Sequence, residues 1–157
     1  FEIAEGDFAI PLSFIDSVIY MTKEELHKVG KGLVGTHADE AIPVIFLQDL
    51  FRKQNENGNA AKTDFHYTFS ELPENSRFHT IIISLDGSKI GFVVEKLHQQ
   101  KEIIEKPLAG AIKNSRFISG ATILGDCLVC LVLDVSTIIR HVFKNVNSQN
   151  LVKAAME

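Results

Sequence analysis

The sequence is poor in the features that usually announce chemistry. It has two cysteines, Cys127 and Cys130, with no second pair and no spaced histidines to complete a metal site. They fall in Cys127-Leu128-Val129-Cys130-Leu131-Val132-Leu133, which reads as a buried strand. Residues three apart on a strand point to opposite faces, so two small core residues are expected in place of a redox couple or half a zinc site. That stretch is also the longest purely apolar run, far short of the roughly 20 residues that span a bilayer, so no membrane insertion is expected. No secretory signal pattern opens the chain. Sixteen Lys+Arg against 20 Asp+Glu give a net charge of −4 with no dense basic stripe, which argues against nucleic-acid binding.

Catalytic motifs are missing too. There is no G-x-x-x-x-G-K-[ST] loop and no G-x-S-x-G elbow. Gly30-Lys31-Gly32 has only a superficial phosphate-loop look, since it leads into a strand and not a helix N-terminus. The six histidines (His27, His37, His66, His79, His98 and His141) are scattered, none with a carboxylate or second histidine at metal-ligand spacing in its own element. No catalytic residue, metal or cofactor is expected.

What is present describes a folded β protein. Apolar residues make up 45% and charged residues 23%, enough apolar surface to offset the entropy of ordering. The 157 residues allow one ordinary domain or two small units. The chain opens on Phe1 inside a strand-like pattern, and is expected to be part of something longer.

Short strands follow one another. Phe1 to Glu5 and Phe8 to Leu12 read as a hairpin turning at Gly6-Asp7, with Pro11 at an edge or bulge. Ile15 to Tyr20 is a strand, and Thr22 to Lys28 a polar connection. Lys31 to His37 and Ala41 to Phe46 flank Ala38-Asp39-Glu40 as a second hairpin, and Leu47 to Phe51 make a short helical turn. A polar, Asn-rich tract then predicts a long loop over 53–76. His79 to Leu85 and Lys89 to Leu97 form a hairpin about Asp86-Gly87-Ser88. Gln99 to Glu105 reads as a polar strand at an edge, and Phe117 to Leu124 and Leu128 to Leu133 flank Gly125-Asp126-Cys127. Helical spacing of Val135, Ile138, Ile139 and Val142 predicts a closing helix over about 135–146, N-capped by Asp134, with 149–157 a second short helix or a frayed tail.

The halves match loosely, each with about five strands and a closing helical segment. The expected architecture is all-β: two packed five-stranded barrels, one over about 1–52 and one over about 77–134.

At Gln99-Gln100-Lys101-Glu102-Ile103-Ile104-Glu105-Lys106-Pro107-Leu108 and Ile118-Ser119-Gly120-Ala121-Thr122-Ile123-Leu124-Gly125-Asp126, followed by Val132-Leu133-Asp134-Val135, the chain closely resembles the CheW-like family. The resemblance is to the regulatory domain at the C-terminus of the bacterial chemotaxis histidine kinase CheA. Phe8-Ala9-Ile10-Pro11-Leu12-Ser13 and Ile42-Pro43-Val44-Ile45-Phe46-Leu47 fit the same family, and the likeness runs from about Phe1 to Phe143. It implies two SH3-like barrels without catalysis of their own. It also implies docking to a CheW-type adaptor through the barrel ends, coupling to the cytoplasmic tips of chemoreceptors, and a cytoplasmic place beside membrane arrays. Two departures stand out. Cys127 replaces a turn glycine, and His37-Ala38-Asp39-Glu40 lacks the arginine of adaptor members, which favours the kinase over a stand-alone adaptor.

Candidate docking residues are Phe14, Ile15, Val18 and Val34 on the first barrel and Ile118 and Leu128 on the second, each equally able to be plain core. The alternatives are a stand-alone CheW-type adaptor and, from another class, a small-molecule-binding β-barrel.

Overall fold

Among the described residues, alternation becomes eleven strands in two sheets. The computed structural model describes residues 1–3, 6–30, 32–52, 67–108, 116–125 and 127–144. The loop tract 53–66, Asp126 in its turn and the segment 145–157 lie outside the described residues, as does His66.

The strands are β1 (Glu2–Ile3), β2 (Gly6–Ala9), β3 (Ile15–Thr22), β4 (Leu26–Val29), β5 (Gly32–His37), β6 (Glu40–Phe46), β7 (Arg77–Leu85), β8 (Ser88–Val94), β9 (Lys106–Pro107), β10 (Ile118–Ile123) and β11 (Val129–Leu133). Helices are α1 (Leu47–Arg52), α2 (Tyr67–Glu71) and α3, residues 135–144. One sheet has the order β1-β2-β11-β10-β9 and the other β3-β7-β8-β6-β5-β4. The chain is mostly β, as expected, although the sheets have five and six strands in place of five and five.

The division of the chain differs from a split into halves. One unit comprises Phe1–Phe14 with Lys96–Glu157, the other Ile15–Glu95. The expected boundaries at 1–52 and 77–134 are therefore corrected. The β7–β8 hairpin pairs with β3 and β6, and the opening hairpin pairs with β11 through a parallel ladder, Leu131 beside Phe8. Strands of two and four residues cannot stand as a sheet alone, so β1 and β2 are stable only beside the late strands.

In the Ile15–Glu95 unit all six strands feed one core. Met21, Leu26, Leu33, Ile42, Val44, Phe46, Phe78, Ile82 and Val93 form a single buried cluster, which requires the sheet to curl around it. Distant strands meet in keeping with that curl: Ser17 Oγ on the edge strand β3 lies 3.4 Å from His37 Nε2 on β5, four places along the sheet order. Gly35 is required where the strands come closest. A Cβ there would sit 2.9 Å from Leu26 Cδ2 and 3.2 Å from both Met21 Cε and Val44 Cγ2. The turns follow the sequence, with positive φ at Ala38 (49°), Asp39 (62°), Asp86 (49°) and Gly87 (79°) in the two tight hairpins.

Four local expectations are corrected. Gly6 and Asp7 lie in β2 and not in the turn, since they pair with Ile3 and Glu2. The polar stretch from Thr22 holds a 3-10 turn (Lys23–Glu25) and then β4, whose Leu26 is buried while the next three residues are exposed. The 53–76 loop contains α2, held by Phe69: its ring is buried against Phe46 (centroids 6.4 Å apart), with the ammonium groups of Lys23 and Lys28 at 5.5 and 5.6 Å. Residues 99–105 are not strand; only Lys106–Pro107 pair with β10.

The closing helix forms as its sequence requires. Asp134 caps α3, Oδ1 accepting from the Thr137 N–H at 3.0 Å and Oδ2 from Thr137 Oγ1 at 2.8 Å. Val135, Ile138, Ile139 and Val142 are buried.

Candidate protein-docking surfaces

Among the described residues of the Phe1–Phe14/Lys96–Glu157 unit, a group of exposed apolar side chains lies at the tip of the β10–β11 hairpin. Ile123 and Val129 are directly paired across the two strands and so share a face; they are 66% and 59% exposed. Leu128 beside them is exposed as well. The turn that joins the strands is closed by the Leu124 N–H donating to the Leu128 carbonyl at 2.9 Å. Cys127 stands in this turn at φ 63°, so the residue that replaces the family glycine adopts the left-handed conformation the turn demands. The expectation of two core cysteines on one strand is corrected: Cys130 is buried in β11, but Cys127 precedes the strand and is exposed in the turn, both as free thiols; burial raises the Cys130 pKa.

The same face continues along the strands. Ala121 pairs with Leu131, and Leu131 lies beside Phe8, whose ring stacks on Phe1 at 6.1 Å. Alongside runs the segment that precedes β9. There Ile104 is 79% exposed and Ile103 is exposed too, while Glu105 Oε1 accepts a 2.7 Å hydrogen bond from Ser119 Oγ. Gly120 leaves room for that carboxylate, since a Cβ would stand 2.5 Å from Glu105 Oε1 and 2.8 Å from the Lys106 carbonyl.

The Ile15–Glu95 unit carries a second exposed group. Val18 and Tyr20 alternate outward along β3. The Tyr20 ring lies 4.6 Å from His79, its cross-strand partner, and 5.4 Å from the Arg77 guanidinium. An aromatic ring with an adjacent guanidinium is the composition enriched at protein-binding hot spots.

The six residues singled out from sequence are spread over these surroundings. Val18 and Leu128 are exposed, Phe14, Ile15 and Val34 half-buried, and Ile118 buried. Leu128 joins the hairpin-tip surface and Val18 the β3 surface; Ile118 belongs to the core. Ile123, Val129, Ile104 and Tyr20 were missed. For two of them the signal was present: Ile123 is out of phase with the inward Gly120 and Thr122, and Tyr20 is in phase with Val18.

Among the described residues no group of three or more His, Cys, Asp or Glu side chains is placed to hold a metal ion. None of the described helices is long and apolar enough to cross a membrane. The ionisable groups that do cluster, His98 with Glu2 (3.7 Å) and Asp7 (3.4 Å), tie the chain after β8 to the opening hairpin.

Two curled sheets with apolar surface at a hairpin tip define a small β domain of the two-subdomain kind, with surfaces suited to holding another protein. The chain belongs to the CheW-like domain family, whose model matches residues 1–143. It is 32% identical over 133 residues to the sensor histidine kinase CheAY of Helicobacter pylori, covering 85% of this chain and 15% of that protein. To the chemotaxis protein CheA of Bacillus subtilis it is 26% identical over 138 residues, covering 88% of this chain and 18% of the relative. The chain thus spans less than a fifth of the length of either. Among solved structures, the scaffolding protein CheW of Thermoanaerobacter tengcongensis superposes with a TM-score of 0.58 at 18% identity, covering 86% of each chain, a likeness of fold. The chain is accordingly a CheW-like domain related to proteins of chemotaxis signalling.

Proposed function

We propose that this chain is a non-catalytic docking domain of a chemotaxis histidine kinase, binding a CheW-type adaptor and coupling chemoreceptor tips to kinase activity in cytoplasmic, membrane-associated arrays. The observation that carries this reading is the exposed apolar surface formed by Ile123, Val129 and Leu128 at one hairpin tip. Apolar side chains held outward on a rigid two-stranded element are what a partner can desolvate without first ordering a loop. Kinase kinship among the curated relatives supports a kinase-borne domain over a stand-alone adaptor.

The test is a calorimetric titration of the chain with the CheW-type adaptor of its own organism. Binding is expected at tens of micromolar or tighter, with an affinity that changes little between low and physiological salt because the contact is apolar. No association at tens of micromolar overturns the reading. A steep salt dependence transfers the contact to the charged residues around Lys101 to Lys106.

A further inference from the structure

The edge of β10 is occupied along only part of its length. β9 pairs at two positions, Gly120 with Pro107 and Ala121 with Lys106, and among the described residues no strand continues the ladder beside Thr122 and Ile123. The residues that lead into β9, 101–105, are exposed and not paired as strand. The base of this segment is nevertheless held, by the Glu105–Ser119 hydrogen bond and the fit of the Glu105 side chain over Gly120.

Continuing the observed register sets Glu105 opposite Thr122, Ile104 opposite Ile123 and Ile103 opposite Leu124. Proline fixes the phase of this ladder. Pro107 has no N–H, so Gly120–Pro107 cannot be a pair that exchanges both hydrogen bonds. The hydrogen-bonded pairs fall on Ala121–Lys106 and, two residues on, Ile123–Ile104. In that pairing the Ile104 side chain joins the face that already carries Ile123 and Val129. A β-branched pair, Ile103-Ile104, suits strand conformation, which is why the segment reads as a strand in sequence.

We infer that residues 101–105 are a strap whose seat is the open edge of β10, and that closing it sets Ile104 beside Ile123 and Val129 to complete one apolar row across three strands. The functional meaning of the row rests on the docking reading above; the seat and register of the strap do not.

Cysteine pairs test the register directly. Directly opposed Cα atoms of an antiparallel pair lie about 4.5–5.5 Å apart, within the range a disulfide accepts. In a Cys127→Ser background, Ile104→Cys with Ile123→Cys is expected to oxidise at least about tenfold faster than Ile103→Cys with Ile123→Cys, whose side chains would point to opposite faces. All three isoleucines are exposed, so the core is untouched. Equal rates, or no cross-link in the 104/123 chain, overturn the strap. Amide exchange of the unsubstituted chain gives a second readout: the Ile104 amide is expected to exchange several-fold more slowly than that of Ile103, and equal exchange counts against the register. A chain that cross-links in register but does not bind a CheW-type adaptor refutes the docking reading and leaves the strap standing. One that binds the adaptor without the in-register cross-link refutes the strap alone.

Discussion

Replacing both Ile123 and Val129 by serine separates docking from folding. Complete burial of an isoleucine or valine side chain is worth about 1.5–3 kcal/mol. These two are still 66% and 59% accessible in the free chain, so a partner that covers them adds roughly 1–2 kcal/mol from each. Because the pair sits side by side on one face, it is covered or left bare together. The double substitution is therefore expected to weaken adaptor binding by about 2–4 kcal/mol, which is roughly 30- to 900-fold. The same substitutions remove little from the folded chain, since the area lost was mostly in water already; the urea midpoint should correspond to a change of no more than about 0.5 kcal/mol beyond the weaker strand preference of serine. Calorimetric titration beside urea unfolding of the same samples reads both numbers. A loss of affinity below threefold, with the fold unchanged, refutes the assignment of this hairpin tip to docking.

Other outcomes test the fold and its titrating groups. Phe69→Ala should cost about 3–5 kcal/mol in urea unfolding, because it empties a buried site that packs on Phe46 and seats two lysine ammonium groups; a loss under about 1 kcal/mol would mean that α2 does not close the core. A thiol reagent should modify one cysteine in the native chain and two in denaturant, since Cys127 is exposed while Cys130 is buried with its pKa raised by that burial; two fast native thiols would contradict the burial of Cys130. Burial, then the charges of Arg116 and Lys144, lowers the His141 pKa from its ordinary 6.5. The unfolded chain then binds the proton more readily, so this contribution to stability is complete above about pH 6.5 and declines as pH falls below it. Urea midpoints at about pH 7.5 and about pH 5.5 should differ less in His141→Gln than in the unsubstituted chain, and equal pH dependence would remove His141 as the cause.

Local structure was the part most legible in the sequence. Turn residues with positive φ at Ala38-Asp39 and Asp86-Gly87, the Asp134 cap and the burial of Cys130 all follow from a few neighbouring residues, whereas Cys127, expected in the core, stands exposed in the turn before β11. Pairing between distant strands was not legible, because the parallel contacts of β2 with β11 and of β6 with β8 leave no mark in either strand alone. That is why two chain halves were expected where the Ile15–Glu95 unit falls in sequence between the two segments of the other. α2 was hidden for a different reason. A five-residue helix is too short for apolar periodicity to show, and its stability comes from where Phe69 lands.

The candidate site was harder to read than the fold, and one pair of residues shows why. Val18 and Ile81 are direct cross-strand partners and so share a face of their sheet, yet Val18 is 48% exposed and Ile81 only 2%. Both are β-branched and paired on one face, but Val18 sits in an alternating strand beside Asp16 and Ser17, while Ile81 opens the continuous apolar run Ile81-Ile82-Ile83 of a strand buried on both faces. Alternation assigns a side chain to a face, while exposure depends on what lies over that face, which distant parts of the chain determine. Predicted docking residues drawn from alternation alone were therefore bound to mix surface with core, as Leu128 and Ile118 do. The hairpin tip escapes this ambiguity because the sheet ends there. At Ile123 and Val129 the strands stop at a turn, and among the described residues the strap from 101 to 105 is the segment whose register continues beside them. A docking surface in this fold is thus best sought where outward alternation meets a strand end, and the cross-link between positions 104 and 123 asks how much of that surface the chain itself supplies.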